Sequence, residues 1–123
     1  METAAARTAI EQTVNKYFRG MHFRSLEELR SVFHPTAHLY GHLSGVFSHR
    51  SLEEWLEGVA SRPVPAESGE PFDMKIISIE ITGQIAVVKV EDLYRGFYFT
   101  DYLSLVETEG QWQIVNKIFH YDP

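Results

Sequence analysis

The sequence predicts an α+β domain in which three N-terminal helices pack on the concave face of a curved, mainly antiparallel sheet. Three observations carry this. In the first half, apolar residues recur at helical spacing behind two Ser-x-x-Glu signatures. From Phe72 onward the chain becomes rich in β-branched and aromatic residues with a period of two. Tight turn signals at Thr82-Gly83, Arg95-Gly96 and Glu109-Gly110 divide that half into four arms. Helices first and a strand meander last is the order of an α+β fold, here a single domain over residues 1–123.

The first helix spans about Thr3 to Met21, with Ile10, Val14, Tyr17, Phe18 and Met21 on one face. Ser25-Leu26-Glu27-Glu28 then reads as a capping box in which Ser25 caps and Glu28 reaches back. Leu26, Leu29, Val32 and Phe33 form the stripe of a short second helix that Pro35 stops. His38 to His42 reads as a short strand, Ser44-Gly45 as a turn and Val46 to Ser48 as its return. A second box, Ser51 to Glu54, opens a third helix with Leu52, Trp55, Leu56 and Val59 inward. Arg62 to Pro71, with Pro63, Pro65, Gly69 and Pro71, is a loop and the piece expected to be most mobile.

Four long arms follow, and their register decides which side chains share a face. Pairing Glu107 with Trp112 puts Phe99, Asp101, Leu103, Leu105, Trp112, Ile114, Asn116, Ile118 and His120 together. Pairing Ile81 with Gln84 and Tyr94 with Phe97 extends that face through Ile77, Ile79, Ala86, Val88, Val90 and Asp92. The opposite face receives Met74, Ile76, Lys89, Tyr102, Val115, Lys117 and Phe119. The first set is a core face; a slip of one residue would exchange the two.

Composition excludes several classes. The chain has no cysteine, so disulfides, cysteine-based zinc sites and thiol catalysis are out. A net charge of −6 with scattered basic residues argues against nucleic acid. The N-terminus shows no basic segment followed by an apolar run, and no apolar stretch approaches the roughly 18 residues of a membrane helix. A soluble, cytoplasmic protein without membrane partners is the expectation.

Three helices, a hairpin between the second and third, and four antiparallel strands closing on Trp112-Gln113-Ile114 resemble the nuclear transport factor 2-like superfamily, a cystatin-like α+β cone. Within it, Phe33-His34-Pro35-Thr36-Ala37, Phe99-Thr100-Asp101-Tyr102-Leu103 and Trp112 to His120 resemble the family described as putative lumazine-binding. The resemblance implies a sheet wrapped round the first helix, a pocket inside, and a homodimer through the convex sheet face (Tyr102, Val115, Lys117, Phe119). Enzymes of the superfamily, ketosteroid isomerase and scytalone dehydratase among them, work with acid–base groups in the cone and no cofactor. Tyr17 resembles in position the oxyanion-hole tyrosine of ketosteroid isomerase. That enzyme's aspartate base has no counterpart here, since Gly41 stands at its place.

His120, Asp101 and Tyr17 are the catalytic candidates if the chain is an enzyme. A histidine oriented by a carboxylate is a usable general base near neutrality, and a buried tyrosine is a donor. Asn116, Tyr17, Trp55, His34, Tyr40, Phe99 and Tyr94 are the ligand-binding candidates. Several have a structural alternative: Asp101 as a loop cap, Asn116 as a tie between strand ends, Tyr17 and Trp55 as core, His34 as a helix cap, Phe99 as part of the dimer contact. His34 and His38 have metal-ligand spacing, but Pro35 breaks the helix between them, so no metal is expected. No phosphate loop or dinucleotide fingerprint is present, and no cofactor is expected. The expected function is a small-molecule-binding protein of the lumazine-binding type, holding a partly apolar ring compound. The alternatives are a cofactor-independent acid–base enzyme (isomerase, dehydratase or cyclase) and an oligomerisation module whose cone is merely core.

Overall fold

Thr3 begins the fold by accepting a hydrogen bond from the Ala6 N–H, which caps α1 (Ala4–Phe23). The computed structural model describes residues 3–121; Met1 and Glu2, part of the N-terminal stretch read above, lie outside the described residues. Ile10, Val14, Tyr17, Phe18 and Met21 form the buried stripe of α1, as their spacing requires. Arg24 takes the left-handed conformation and ends the helix, and Ser25 caps α2 (Leu26–Val32). The expected box there is only half made. The Ser25 N–H is bonded to the Gly20 carbonyl at 3.0 Å, so Glu28 has no donor to reach back to. A side chain at Gly20 would meet Leu29 Cγ at 2.7 Å; glycine is what lets the two helices approach.

The next element is β1 (Phe33–Leu43), longer than the predicted strand and beginning before Pro35. Its pairing is irregular between Phe33 and His38, so Pro35 sits where the ladder does not require its missing N–H. After β2 (Val46–Ser51), Ser51 and Glu54 form the complete reciprocal box that opens α3 (Leu52–Ala60). Within the predicted loop, Pro65–Ser68 form one 3-10 turn, with Val64 and Pro65 buried. Then come β3 (Met74–Thr82), β4 (Ile85–Tyr94), β5 (Phe97–Thr108) and β6 (Gln111–Tyr121). All six strands form one sheet in the order β2-β1-β6-β5-β4-β3, antiparallel except where β1 lies parallel to β6. The α+β prediction holds. The core joins Ile10, Val14 and Phe18 of α1 to Leu29, Leu56 and Val59 and to Val88, Leu103, Leu105 and Ile114 of the sheet.

Two register shifts depart from the predicted pairing. Glu107 does face Trp112 and Leu105 faces Ile114, but Ser104 then faces Asn116, leaving Val115 as an extra residue on β6. This bulge reverses the sides of everything beyond it. Lys117 and Phe119, assigned above to the dimer face, turn toward the helices as partners of Leu103 and Asp101. Asn116, Ile118 and His120 turn to the outer face. A second shift at Ile77 brings Met74 and Ile76 inward and leaves Ile77 43% exposed. The β3–β4 turn also differs: Ile81 pairs with Ala86 rather than Gln84, a slip of two that preserves the face.

Candidate active site

Four ionisable side chains meet under the helices. Asp92 on β4, Asp101 on β5, Lys117 on β6 and Tyr17 on α1 are all buried, Asp101 completely. Asp101 lies opposite Val90 and Asp92 opposite Phe99, so the two carboxyls are diagonal neighbours on one face. Tyr17 Oη donates to Asp101 Oδ2 at 2.8 Å, and Lys117 Nζ lies 3.9 Å from the same oxygen. The ammonium also faces the rings of Trp55, Tyr17 and Phe119, with centroids 4.8, 5.1 and 5.4 Å away. A cation that has left water is held here by one carboxylate and three ring faces.

Burial holds the Asp92 carboxyl well above the usual carboxylate range; the charge of Asp101 adds to the rise and Lys117 offsets part of it. The neighbouring Asp101 carboxylate therefore favours the neutral form of Asp92. Burial, reinforced by Asp101, likewise keeps Tyr17 a phenol. Oδ1 of each aspartate has no protein partner among the described residues. The cluster thus holds one cation, one carboxyl that burial drives toward its neutral form, and two oxygens without a protein partner among the described residues.

Above it opens a cavity of about 40 Å³, walled by Asp92, Lys117, Trp55, Tyr94, Phe99 and Phe119, with Arg50 and Arg62 also lining it. That space holds water rather than a ring. Arg62, Tyr94, Phe99 and Leu43 also line an outer hollow of about 240 Å³, which adds the aromatic rings of Phe97 and Tyr121. Together the two approach the roughly 300 Å³ at which ligand pockets begin. Phe119 can turn inward because its strand neighbour is Gly41: a Cβ there would lie 2.4 Å from the Phe119 carbonyl and 2.5 Å from its ring.

Of the residues singled out from sequence, Trp55, Tyr94 and Phe99 line the cavity. Asp101 and Tyr17 lie behind it and hold Lys117 and Asp92. Asn116 and His120 are placed differently from the expectation, on the outer face, because the Val115 bulge turned them over. Tyr40 is also on that face, its ring stacked on His49 at 4.5 Å, beside a surface hollow that includes His120 and Tyr102. His34 is not a helix cap; it lies in β1 with Nδ1 2.8 Å from Thr36 Oγ1. Lys117 and Asp92 were missed as site residues. Asp92 was legible as a carboxylate on the core face, whereas Lys117 required the bulge. Among the described residues no three His, Asp or Glu side chains are grouped to hold a metal, and no helix is long and apolar enough to cross a membrane.

Residues 5–120 match the family model described as putative lumazine-binding. The chain belongs to this family. Solved structures similar to it include an NTF2-like protein of unknown function from Shewanella baltica (TM-score 0.86, 25% identity, covering 100% of this chain and 99% of that one). Another, from Silicibacter pomeroyi, has a TM-score of 0.84 at 25% identity and covers 99% and 100%. A cystatin-like fold protein from Nostoc punctiforme shares the fold at 17% identity, with a TM-score of 0.71 and coverage of 100% and 96%. Among curated proteins, the chain is 29% identical over 123 residues to a protein named aldolase FrzH from Cladobotryum sp, covering 98% of this chain and 95% of the relative. Family and fold together support binding of a small molecule.

Proposed function

We propose that the cavity and the outer hollow together bind a small carbonyl compound, and that acid–base side chains move a proton on the carbon beside its carbonyl group. The observation that carries this reading is that a buried carboxyl and an ammonium, Asp92 and Lys117, line the same cavity, backed by Asp101 and Tyr17. Lys117 meets the carbonyl oxygen and stabilises the negative charge that develops there. Asp92 passes its proton to that oxygen and takes up the α-proton in its place, so ketone becomes enol and Asp92 ends as it began. Tyr17 and Asp101 act as positioning residues. The acid–base role expected of His120 thus passes to Asp92. An aldol reaction turns on the same enolisation, and the similarity to a protein named an aldolase is in keeping with it.

The test is exchange of α-protons into deuterated water, followed by proton NMR on phenylacetone and phenylpyruvate. The parent should exceed the buffer rate, and Asp92→Asn should lower the enzymatic rate by about 10²–10⁴-fold. A parent no faster than buffer removes the enzyme reading. The aromatic outer hollow favours one second reading, a carrier that holds a ring compound without changing it. Ligand-induced thermal stabilisation without exchange is the outcome that would select it.

A further inference from the structure

We infer that the molecule bound in this cavity carries a carboxylate, held at the mouth by Arg50 and Arg62. Arg50 lies one residue before the end of β2 and Arg62 follows α3, and their guanidinium groups converge over one helical glycine. A Cβ built on Gly58 would lie 3.0 Å from Arg50 Nη1 and 3.4 Å from Arg62 Nη2. Gly58 stands one turn beyond Trp55, and both arginines line the same cavity as that ring. Both are half-buried, and Arg62 lines the inner cavity and the outer hollow alike.

Neither guanidinium has a hydrogen bond or ion pair within the described residues, unlike Arg19 and Arg30, which pair with Glu28 and Glu53. The bond from Arg24 ends on the backbone carbonyl of Arg62, not on its side chain. The nearest acidic influence on Arg50 is Glu54, whose carboxylate is engaged by the Ser51 N–H in the α3 cap. Inside the cavity, Asp101 is already matched to Lys117. Two cations half out of water repel each other and have no direct ion-pair partner among the described residues, in a chain whose acidic residues outnumber its basic ones by 17 to 11. A planar carboxylate offers the acceptors that two converging guanidiniums require.

This assignment rests on the reading that the cavity admits a small molecule, and is independent of the proton transfer at Asp92. The test compares phenylpyruvate with its methyl ester by isothermal titration against the full chain, Arg50→Gln, Arg62→Gln and an Arg19→Gln control. The parent should bind the acid at least tenfold more tightly than the ester. Each mouth substitution should weaken the acid tenfold or more while leaving the ester and the thermal midpoint unmoved, and the control should change nothing. In the parent alone, added salt should weaken the acid and spare the ester. Equal binding of acid and ester, or of the acid by parent and both mouth variants, or no binding of the acid by the parent, would overturn the assignment. Arginine-dependent binding without α-proton exchange keeps the anion site and removes the enzyme reading; exchange that is indifferent to charge and to both arginines does the reverse.

Discussion

Lys117 Nζ lies 3.9 Å from Asp101 Oδ2 although its partner across the ladder is Leu103. The contact runs diagonally under the helices, and it exists only because Val115 is an extra residue on β6. The pair is buried on both sides, so its worth is judged by what its rupture leaves behind.

Lys117→Met should cost about 3–5 kcal/mol, because Asp101 would remain buried without its cation. Adding Asp101→Asn should recover much of that loss. Urea unfolding of the two single variants and the double variant measures the coupling. Additive losses would mean that the two side chains do not form a unit.

Asp92 sets a pH dependence. Its folded-state pKa is raised, so between the unfolded value, about 4, and the raised value the native state binds more protons than the unfolded state. The stability contribution is fully present below that unfolded value and is lost as pH rises through the folded value. Asp92→Asn cannot ionise and should flatten this decline, gaining on the parent as pH rises. Thermal midpoints across a pH series check it; parallel curves for parent and variant would refute the buried neutral acid.

Gly41→Ala should be destabilising by about 1–3 kcal/mol or more, because the new methyl overlaps both the carbonyl and the ring of Phe119. The denaturant midpoint should fall with its slope unchanged. A neutral effect would show that Phe119 has another place to go, and the cavity wall would then be adjustable.

The outer sheet face leaves Tyr102 42% and Ile118 46% exposed next to a hollow of about 520 Å³. Exposed apolar groups in one patch mark contact surfaces, and we expect a homodimer through this face. Sedimentation at micromolar concentration should give twice the chain mass for the parent and the single mass for Tyr102→Glu with Ile118→Glu. A monomeric parent would end this expectation.

The strength of the helical signals explains why the first half was readable. Ile10, Val14, Tyr17 and Phe18 lie on one face in any helix, and the Ser51–Glu54 box closes through local bonds. The inward faces of β4 and of β5 from Phe99 to Leu105 were equally legible, since strict alternation separates Val88, Val90 and Asp92 from Lys89 and Glu91. Asp101 was found from that alternation and Tyr17 from the helical stripe, though as supports behind the cavity rather than as its wall.

Lys117 was not legible, and neither was the outward turn of His120 and Asn116. A bulge changes two strands by one residue, and Val115 differs in no local way from a valine in regular pairing. What selects it is the whole sheet: β6 is bonded to β5 on one edge and to parallel β1 on the other, and Gly41 leaves room for Phe119 on the helix side. Sequence alone determined the fold class, the helix stripes and the carboxylates facing inward, because those follow from periodicity and local capping. Tertiary structure decided which cation joins them, because a single unpaired residue reverses a face and only packing on both sides of the strand says where it falls.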